Sequence, residues 1–539
     1  MTKLAVPIIV ESTARAHAMA QMAARQGADI VEYRIDRFIE GEGADELSQL
    51  MTLIDDSPLP CIITCRPTWE GGYYDGDERS RIAILEHIKH AKRPPLYLDF
   101  ELKAYQASAN IRQKIHLVVD HADQPRPVET RLILSSHDFD SRPRDLLGRI
   151  SAMSEYDQCA VIKIVWASRS LRDNLEAFEI LDSKYKPTIA LCMGQTGLAS
   201  RILAKKFGAL LTFAALDTDQ TSAPGQPTLS DCKKRYRWDA LNRQTRVYGV
   251  IGDPVAHSIS PHMHNAGFDR IDFNGVYLPL PIPGAYEHFK ATVGSWLDFK
   301  ALDFSGASVT IPHKQNLIRF VQEAGGQVEP LAKRIGAANT LTVRDDGTLY
   351  ASNTDYGAAL DTVCHRLNLT REQLRGKRIA ILGAGGVARA IVAGFSAYGA
   401  SLTIFNRTHE KAVALAEEFN AHLSGDAPIQ ACPFDQLHQL PLDILINCTS
   451  VGMSPRVEQS PLPELAAGQS FSHWGKDTLI FDTIYNPKET RLLRFARTRG
   501  CQTVNGAKML AMQAQAQFTL WTRQAPPEGL FEEIVERGI

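Results

Sequence analysis

The sequence predicts an α/β protein, because two patterns of alternating strands and helices follow one another along its 539 residues. In the N-terminal part, a short apolar run followed by a helical pattern occurs eight times within about 225 residues, which is typical of a closed (β/α)8 barrel at the short end of its usual size. Further on, a glycine-rich turn at 383–388 joins an apolar run to a helical pattern. Such a turn is typical of the βαβ unit of a Rossmann-like domain.

Eight apolar runs are the predicted strands of the barrel. They are Val6–Val10, Ile30–Arg34, Cys61–Cys65, Leu96–Glu101, Leu132–Ser135, Val161–Val165, Ile189–Met193 and Leu210–Phe213. A ninth run, Ile115–Val119, exceeds the count of eight, and we interpret it as an addition between the fourth and fifth strands.

A change of composition marks the end of the barrel. Pro224, Gly225 and Pro227 interrupt the pattern, and a charged helical stretch over 231–243 follows as the expected closing helix and linker. A new strand then begins at Arg246, and a further helix is predicted over 509–522. The expected organisation is a barrel at 1–228, a linker at 229–245, an α/β substrate-binding domain at 246–360, a Rossmann-like domain at 361–505, and C-terminal helices at 506–539 that pack back on the substrate-binding domain.

Composition indicates a cytoplasmic enzyme that acts on small molecules. Hydrophobic residues make up 44% and charged residues 22%, and the formal net charge of −2 gives no electrostatic reason to expect nucleic acid or an anionic membrane as a partner. No apolar run approaches the roughly 18 residues that span a bilayer. Strand-like sequence begins at Leu4, which leaves no room for a signal or transit peptide. Nine cysteines without a C-x-x-C pair fit a reducing compartment, and we expect a monomer or a homodimer.

The glycine-rich turn indicates a dinucleotide site. Ile379 to Leu382 forms a short apolar run, and the next residues, Gly383-Ala384-Gly385-Gly386-Val387-Ala388, fit the pattern G-x-G-x-x-G/A. Glycines let the backbone approach a pyrophosphate, whose charge then lies at the N-terminus of the following helix. After the next apolar run, an NAD site would have an acidic residue for the ribose, but this chain has Asn406-Arg407-Thr408. Because a guanidinium can bind a 2′-phosphate that a carboxylate would repel, the predicted cofactor is NADP.

Polar residues recur at the ends of the predicted barrel strands, where barrel chemistry is found. Lys163 lies within an apolar strand, which is costly unless its pKa falls or a charge pairs with it. A neutral lysine is also what Schiff-base chemistry requires. Taken alone, Lys163 could be a structural lysine paired with Glu32 or Glu101, and His137 a structural hydrogen-bonding residue. Together with three arginines at the same mouth, they indicate a lysine that captures a ketone, a histidine that moves protons and cations that hold a carboxylate.

This half of the sequence resembles type I 3-dehydroquinate dehydratase over nearly all of residues 4–230. The matching motifs are Glu32-x-Arg34-x-Asp36, Thr64-x-Arg66 with Glu70-Gly-Gly, Ser136-His137-Asp138-Phe139, Lys163 with its apolar neighbours, Met193-Gly194 leading to Ser200-Arg201, and Ser222-Ala-Pro-Gly-Gln226. The resemblance implies that Lys163 forms an imine with the C3 ketone of 3-dehydroquinate, and that His137 removes a C2 proton and assists loss of the C1 hydroxyl as water. It also implies a set of substrate-binding residues: Glu32, Arg34, Arg66, Arg201, Ser222 and Gln226. Glu11 replaces a small hydroxyl residue frequent in the bacterial family, so strand one is left outside the predicted site.

A second group of polar residues follows the strand that begins at Arg246. Serines in a proline-rich turn, such as Ser258 and Ser260, are usually caps or turn formers, and a lone Lys314 or Asp355 would most often be surface charge. Each of these residues, however, follows a strand-like run, and they would gather at strand ends that face the dinucleotide block. A Lys–Asp pair beside a nicotinamide is suited to moving the proton that accompanies hydride transfer to a ketone.

Residues 246–525 resemble shikimate dehydrogenase. The ordered motifs are Ser258-Ile-Ser260-Pro261, Ser308-Val-Thr310-Ile-Pro-His-Lys314, Gly336-Ala-Ala-Asn339-Thr340, Asn353-Thr-Asp355, Asn447-Cys-Thr449-Ser450-x-Gly452-Met453, Asp482-x-x-Tyr485-x-Pro487 and Gly506-x-x-Met-Leu-x-x-Gln513. The resemblance implies that Lys314 and Asp355 are the catalytic pair and that shikimate is held by Ser258, Ser260, Thr310, Asn339, Asp355, Tyr485 and Gln513. It implies NADP binding by Gly383, Ala384, Gly385, Gly386, Val387, Asn406, Arg407, Thr408, Thr449 and Gly506. Tyr356 and Ser308 depart from residues frequent in bacterial members, and Tyr356 leaves the choice between shikimate and quinate open.

The two resemblances describe consecutive reactions, from 3-dehydroquinate through 3-dehydroshikimate to shikimate. The sequence therefore predicts a bifunctional dehydratase and NADP-dependent dehydrogenase without a metal, since its His and Cys residues lack ligand spacing. One alternative is catabolic oxidation of quinate with NAD, against which Arg407 argues. The other is a non-catalytic sensor of pathway intermediates, which would have no need of a desolvated lysine.

Overall fold

The computed structural model describes residues 1–38, 43–121, 128–220, 223–421, 428–462, 471 and 473–538. The chain forms two compact units. The first comprises residues 1–246, 274–282 and 291–303, and the second comprises residues 247–273, 283–290 and 304–539. Among the described residues, no helix is long and apolar enough to cross a membrane.

In the described part of the first unit, eight strands are separated by helices. In chain order they are β1 (Lys3–Ile9), α1 (Thr13–Arg25), β2 (Ile30–Arg34), α2 (Ala44–Asp55), β3 (Cys61–Thr64), α3 (Glu78–His87), β4 (Tyr97–Glu101), α4 (Leu102–Ala107), α5 (Ala109–His116), β5 (Arg131–Asp138), α6 (Leu146–Glu155), β6 (Cys159–Ala167), α7 (Asp173–Asp182), β7 (Thr188–Met193), α8 (Leu198–Ile202) and β8 (Leu211–Phe213).

These strands confirm the predicted barrel. They lie in the order β7-β6-β5-β4-β3-β2-β1-β8, and each pair is parallel. The amide of Leu210, just before β8, donates to the carbonyl of Thr188 in β7 over 2.9 Å, which joins the two ends of the sheet. The sheet is thus nearly closed, as a (β/α)8 barrel requires.

Alternation along the strands determines which side chains face the barrel interior. One residue near the start of each strand, such as Ile30, Ile62, Tyr97, Ile133 and Val161, belongs to a single buried apolar cluster. Because side chains alternate with a period of two, the residue two positions further along the same strand faces the same interior. The polar side chains near the carboxyl ends of the strands are thereby directed over an apolar floor.

Two segments of the first unit differ from the sequence-based expectation. The apolar run Ile115–Val119 is not a strand, because Ile115 belongs to α5 and the following residues form a turn. The closing helix expected over 231–243 is replaced by a short π-helix, Asp231–Arg235, and a 3-10 turn, Trp238–Ala240. Lys206 fixes the end of this segment against the barrel by donating to the carbonyls of Arg243 and Thr245 over 2.7 and 2.9 Å. Side-chain bonds of this kind satisfy backbone carbonyls that a longer helix would have paired.

The rest of the chain contains the remaining helices and strands. They are β9 (Arg246–Gly252), α9 (Ser260–Arg270), β10 (Gly275–Pro281), α10 (Tyr286–Asp298), β11 (Phe304–Val309), α11 (Lys314–Glu323), β12 (Gln327–Val328), α12 (Pro330–Ile335), β13 (Thr340–Val343), β14 (Leu349–Ser352), α13 (Asp355–Leu367), β15 (Arg378–Leu382), α14 (Gly386–Ala397), β16 (Ser401–Phe405), α15 (His409–Asn420), β17 (Gln430–Ala431), β18 (Ile444–Asn447), β19 (Leu479–Asp482), α16 (Arg491–Thr498), β20 (Gln502–Val504), α17 (Gly506–Thr522) and α18 (Leu530–Gly538). The helix predicted over 509–522 is confirmed as part of α17.

Two sheets organise the second unit. In the first, β9, β11, β13, β14 and β12 are neighbours in that order, with β13 antiparallel to both β11 and β14. The second has the order β17-β16-β15-β18-β19-β20 and is parallel throughout. Its strand order reverses between β15 and β18, and a ligand crevice is expected at such a switch point. This arrangement confirms the Rossmann-like fold.

Candidate functional site

The barrel contains a pocket at the carboxyl ends of its strands. It is lined by Glu32, Arg34, Arg66, Glu70, Gly71, His137, Phe139, Lys163, Val165, Leu191, Met193, Arg201, Phe213 and Ala223. Six of the sequence-predicted site residues are in this set: Glu32, Arg34, Arg66, His137, Lys163 and Arg201. The structure therefore brings together residues from strands β2, β5 and β6, from the loop after β3 and from helix α8.

Lys163 lies at the base of the pocket and is 4% exposed. It faces the interior because it lies two residues from both Val161 and Val165, which belong to the buried interior cluster and face the same side of β6. Its Nζ atom lies 2.8 Å from Asp99 Oδ2 and 3.3 Å from Glu32 Oε1. These two carboxylates position the amine and compensate its charge where water is largely excluded.

Asp99 connects Lys163 to a larger network of charges. Its Oδ1 atom accepts from Arg66 Nη2 over 2.8 Å and from Ser135 Oγ over 2.6 Å. Burial alone would raise the pKa of Asp99, but the charges of Arg66 and Lys163 outweigh burial and hold this pKa below its usual range. Asp99 is thus an ionised carboxylate beneath the pocket at neutral pH.

Arg66 is shared between two carboxylates. Besides its bond to Asp99, its Nη1 atom donates to Glu101 Oε1 over 2.7 Å. Glu101 therefore binds Arg66 and not Lys163, so of the two partners considered for the lysine only Glu32 contacts it. Burial opposes the charge of Arg66, yet Asp99 and Glu101 raise its pKa above the usual value.

His137 is paired with Glu70. Its Nδ1 atom lies 2.9 Å from Glu70 Oε1, which also accepts the backbone N–H of His137 over 2.9 Å. Burial, together with the cations Arg66 and Lys163, lowers the pKa of His137 well below its usual value. Burial raises the pKa of Glu70 to about 8. At neutral pH the imidazole is therefore neutral, and with Nδ1 occupied its Nε2 atom remains for proton transfer.

The loop that carries Glu70 depends on the two glycines after it. Gly71 has φ of +75°, and a Cβ atom there would lie 2.3 Å from the ring of Phe139. A Cβ atom on Gly72 would lie 2.0 Å from the carbonyl oxygen of Arg66. The Glu-Gly-Gly sequence is therefore needed for Glu70 to reach His137.

Two arginines at the pocket differ in their partners. Arg34 forms a bidentate pair with Asp36, with both distances 2.9 Å. Arg201 is 2% exposed, and its Nε atom has no hydrogen-bond partner among the described residues. Burial lowers the pKa of Arg201 to about 10, so its guanidinium is still charged at neutral pH. A buried cation in this state is suited to binding the carboxylate of a ligand.

The last two residues predicted for this site are Ser222 and Gln226, which come after β8 in the sequence. Gln226 is buried. Ser222 lies outside the described residues, and its predicted role stays a prediction.

The second site lies along one edge of the sheet that contains β9 and β11. These strands are parallel, so Ser258 and Ser260 after β9 and Thr310 after β11 follow the same edge. Asn339 precedes β13, which is antiparallel to β11, and the turn before Asp355 follows β14. Strand direction therefore collects these residues from four chain segments.

Lys314 and Asp355 form the centre of this site. Lys314 Nζ lies 2.6 Å from Asp355 Oδ2, and Asn339 Nδ2 donates to Asp355 Oδ1 over 2.9 Å. The backbone N–H of Asp355 donates to Asn353 Oδ1 over 2.9 Å. Both oxygens of the carboxylate are thus held, and the Lys–Asp pair expected from the sequence is in direct contact.

Tyr356 and Ser308, the two departures from the bacterial pattern, both have protein partners. The hydroxyl of Tyr356 donates to Glu329 Oε1 over 2.7 Å, and Glu329 Oε2 accepts the backbone N–H of Asn353 over 2.9 Å. The Ser308 hydroxyl donates to Gln517 Oε1 over 2.7 Å. Gln517 lies four residues after Gln513 in α17, hence on the same helix face. Tyr485 and Gln513 are partly exposed, at the end of β19 and in α17.

The glycine-rich turn has the shape that a pyrophosphate needs. Gly383 follows β15 with φ of +107°, and Gly386 begins α14. A Cβ atom built on Gly385 or Gly386 would meet no atom within 4 Å, so space is open beside the N-terminus of α14. Backbone N–H groups at a helix start favour an anion in such a space.

The other predicted cofactor residues follow neighbouring strands of the same parallel sheet. Arg407, after β16, is exposed and is in none of the ion pairs found among the described residues. The Asn406 side chain donates to the carbonyl of Thr408 over 2.8 Å, and the hydroxyl of Thr449 to Asn447 Oδ1 over 2.8 Å. Gly506 begins α17, and a Cβ atom there would lie 2.0 Å from the carbonyl oxygen of Thr483. The residues around the switch point therefore fit a dinucleotide with an additional phosphate.

Asp99 and Glu70 belong to the barrel site and Arg81 binds the neighbouring Glu101, but none of the three is among the site residues predicted from the sequence. Strand alternation could have identified Asp99, which lies two residues after the interior Tyr97. Arg81 belongs to a helix between strands, where an arginine is usually exposed, and no pattern marks it. No cluster of three or more His, Cys, Asp or Glu side chains suited to a metal occurs in the described ranges.

Comparison with protein families gives three matches along the chain. Residues 4–243 match the model of type I 3-dehydroquinase. Residues 250–341 match the substrate-binding domain of shikimate dehydrogenase, and residues 367–488 match shikimate/quinate 5-dehydrogenase.

Individual relatives match either the whole chain or its second half. The chain is 35% identical to the bifunctional 3-dehydroquinate dehydratase/shikimate dehydrogenase, chloroplastic, of Arabidopsis thaliana, over 99% of this chain and 84% of the relative. It is 38% identical to the shikimate dehydrogenase (NADP(+)) of Methanosarcina mazei, over 54% of this chain and 97% of the relative. A crystal structure of shikimate 5-dehydrogenase from Thermus thermophilus with NADP(H) and shikimate is 30% identical, covers 55% of this chain and 100% of its own, and has a TM-score of 0.46.

Proposed function

Because the chain belongs to the family of bifunctional 3-dehydroquinate dehydratases/shikimate dehydrogenases, we propose that the barrel pocket performs its dehydration and that the Lys314–Asp355 site performs its NADP-dependent reduction. The enzyme converts 3-dehydroquinate to 3-dehydroshikimate and reduces this product to shikimate. The observation that carries the assignment of the barrel is the meeting of Lys163, His137 and Arg201 in one pocket.

In the dehydration, Lys163 is the nucleophile. Its amine condenses with the C3 ketone and releases water, and the resulting imine accepts the electrons left when the C2 proton departs. Asp99 and Glu32, at 2.8 and 3.3 Å, hold Nζ at the base of the pocket. Hydrolysis of the imine then releases the product and restores the amine.

His137 is the proton carrier. As a neutral imidazole it takes the C2 proton and gives it to the departing C1 hydroxyl, which leaves as water. Its lowered pKa and its bond to Glu70 support this role. Nothing is oxidised or reduced in the step, since the proton removed from carbon ends on the leaving group.

The carboxylate of the substrate binds to Arg201, whose guanidinium is buried and is in none of the ion pairs among the described residues. Arg34, Arg66, Glu32, Ser222 and Gln226 bind the hydroxyl groups and complete the pocket. Charge complementarity supports the assignment, because the substrate supplies the anion that Arg201 lacks.

In the reduction, NADPH supplies the hydride when it is bound. Lys314 and Asp355, 2.6 Å apart, hold the proton that the ketone oxygen receives. Ser258 and Ser260 bind the carboxylate of the substrate, while Thr310, Asn339, Tyr485 and Gln513 contact its ring hydroxyls. Residues 383–387 would hold the pyrophosphate of the cofactor, Arg407 and Thr408 would bind its 2′-phosphate, and Thr449 and Gly506 would hold its nicotinamide.

Two competing hypotheses make different predictions. Catabolic oxidation of quinate predicts NAD as the preferred cofactor, whereas the exposed Arg407 supports a preference for NADP. A sensor without catalysis would need no Lys163 amine at the base of the barrel pocket.

The domain boundaries, cellular location and assembly remain proposals as well. The boundaries given above (1–228, 246–360, 361–505 and 506–539) are supported by the turn at 224–227 and by the start of a new sheet at β9. Nine free thiols support a reducing compartment such as the cytoplasm. Cell fractionation tests the location, and light scattering of the purified protein distinguishes monomer from homodimer.

A coupled assay tests the function. NADPH oxidation is followed after addition of 3-dehydroquinate to the wild type, to Lys163→Ala and to Lys314→Ala. The wild type should consume NADPH, whereas Lys163→Ala should do so only from 3-dehydroshikimate. Lys314→Ala should convert 3-dehydroquinate to 3-dehydroshikimate without consuming NADPH. Full coupled turnover by Lys163→Ala would contradict the assignment of the barrel, and full turnover by Lys314→Ala that of the second site.

A further inference from the structure

Arg81 is a fully buried arginine that does not line the barrel pocket. It lies in α3 with 0% exposure. Its Nη1 atom donates to Glu101 Oε2 and to the carbonyl of Cys65, both over 2.7 Å. Its Nε and Nη2 atoms donate to Glu78 over 3.0 and 2.6 Å. Every nitrogen of the guanidinium is thus bonded, which fixes its position.

Glu101 connects Arg81 with the pocket. One oxygen of this carboxylate accepts from Arg81 and the other from Arg66 Nη1, each over 2.7 Å. Arg66 in turn binds Asp99 over 2.8 Å, and Asp99 binds Lys163 Nζ over 2.8 Å. A continuous series of short charge-assisted bonds therefore runs from α3 to the amine.

Counting charges along this series shows what Arg81 contributes. Lys163, Arg66 and Arg81 are cations, and they face the carboxylates Glu32, Asp99 and Glu101. Three buried cations therefore face three buried anions. Two further carboxyl groups touch the series: Glu78 beside Arg81, whose side chain is 34% exposed to solvent, and Glu70 beside Arg66, whose pKa burial raises to about 8. Without Arg81, Glu101 would keep Arg66 as its one cation, and the series would carry a surplus negative charge in a region that excludes water. Such a charge is costly, and it attracts Arg66 away from Asp99.

We propose that Arg81 is a positioning residue of the dehydratase, which neutralises Glu101 so that Arg66 can hold Asp99 against Lys163. The proposal rests on the proposed role of Lys163. Arg81 touches neither the substrate nor the reacting atoms, and it acts through two intervening side chains.

The pH dependence of dehydration reports this role. Surplus negative charge beside Lys163 and His137 favours the protonated imidazole of His137, so the acid limb of the profile should move to higher pH. The charged groups that face these two residues are Glu32, Arg34, Arg66, Glu70, Asp99 and Arg201. All are left unchanged by substitution of Arg81.

Three variants separate positioning from a merely structural role. Arg81→Met should lower kcat for dehydration about 10- to 100-fold with little change in KM, and should shift the acid limb upward. Arg81→Met/Glu101→Gln removes both charges, so it should recover part of kcat and return the acid limb to its wild-type position. Arg81→Lys keeps the positive charge but forms fewer hydrogen bonds, so it should lower kcat while the acid limb of the pH profile stays at its wild-type position.

Two controls belong to the same chain. Arg142→Met removes an exposed arginine that is paired bidentately with Glu176, and it should leave dehydration unchanged. Reduction of 3-dehydroshikimate by every variant reports whether the second unit is intact.

The proposal is overturned if Arg81→Met dehydrates at the wild-type rate. It is also overturned if Arg81→Met and Arg81→Lys both lose activity while the acid limb stays in place, and if adding Glu101→Gln to Arg81→Met restores no activity. If Arg81→Met does not fold, Arg81→Lys decides, because an acid limb shifted despite the retained charge contradicts the proposal. Trapping with borohydride tests the role of Lys163 separately from that of Arg81. If the wild-type enzyme gives no reduced adduct on Lys163, the role of Lys163 is contradicted and that of Arg81 is not.

Discussion

The imidazole of His137 lies 2.9 Å from the carboxylate of Glu70, and burial disfavours the charged form of both groups. The pKa of the histidine is lowered, and that of the glutamate is raised to about 8. Near neutral pH the pair therefore carries little charge, in the pocket that we propose binds the substrate carboxylate and releases a neutral water molecule. A neutral imidazole can accept a proton from carbon, which an imidazolium could not do.

The pH profile of dehydration should reflect these two shifts. Because the pKa of His137 lies below the usual 6.5, kcat/KM should be maintained to lower pH than for an ordinary histidine and should fall when the ring is protonated. A second inflection near pH 8 should mark ionisation of Glu70. Glu70→Gln should remove this inflection, measured by initial rates from pH 5 to 10. Persistence of the inflection in Glu70→Gln would assign it to another group.

Substitution of Arg201 should weaken substrate binding and strengthen the fold. Arg201→Met removes a buried cation that lacks an ion-pair partner among the described residues, so the melting temperature should be unchanged or higher. Losing a charged hydrogen bond to the substrate costs about 1.5–3 kcal/mol, so kcat/KM for 3-dehydroquinate should fall about 10- to 150-fold. Arg142→Met, at an exposed pair, is the matched control. A large fall in melting temperature would indicate a structural role for Arg201.

Asp355 should be required for reduction and dispensable for dehydration. Asp355→Asn removes the charge that pairs with Lys314 while keeping an oxygen for Asn339, so kcat for reduction should fall about 10²- to 10⁴-fold. Asp361→Asn is the control, since Asp361 lies in the same helix and pairs with Arg371 at the surface. Steady-state rates of both reactions on each variant test this, and equal losses in Asp355→Asn and Asp361→Asn would argue against a specific role.

Tyr356 should not determine the choice between shikimate and quinate. Its hydroxyl is bonded to Glu329, which also holds the backbone before Asp355. Tyr356→Phe should therefore lower the rate of dehydrogenation by a few fold, because Glu329 loses one of its hydrogen bonds, and leave the ratio of kcat/KM for the two substrates unchanged. Tyr350→Phe, in the preceding strand β14, provides the control. A changed ratio would mean that the hydroxyl contacts the substrate.

Arg407 should determine the preference for NADPH. Arg407→Ala removes the exposed guanidinium after β16, and kcat/KM with NADPH should fall about 10- to 100-fold while that with NADH stays within a few fold. The NADH rate is an internal control for folding and for the substrate site. An equal loss with both cofactors would contradict recognition of the 2′-phosphate by Arg407.

The barrel could be predicted because eight short apolar runs alternate with helical patterns, and its polar residues could be predicted because they stand at the ends of those runs or, like Lys163, within one. Val161, Lys163 and Val165 face one way in β6, so a lysine among apolar residues had to be interior. The same rule applies to Asp99, but its distance from Lys163 depends on which strands are neighbours across the barrel. That relationship arises only when the sheet closes.

The burial of Arg81 and the absence of a long helix at 231–243 could not be predicted from the local sequence pattern. Arg81 lies on a helix, and it is buried because Glu101, at the end of β4, provides the carboxylate that binds it. The charged stretch at 231–243 has helical composition, yet bonds from Lys205 and Lys206 to its carbonyls replace the helix. Long-range contacts of this kind override local propensity.

Mixing two variants, each of which lacks one of the two activities, tests most directly whether one chain carries two separate sites. Lys163→Ala and Lys314→Ala are each assayed for NADPH oxidation from 3-dehydroquinate, and then they are assayed together. Neither variant alone should consume NADPH, whereas the mixture should do so after a lag during which 3-dehydroshikimate passes through solution. If the mixture stays inactive while each variant performs its remaining half-reaction, or if either variant alone is fully active, the division of the two reactions between these sites is contradicted.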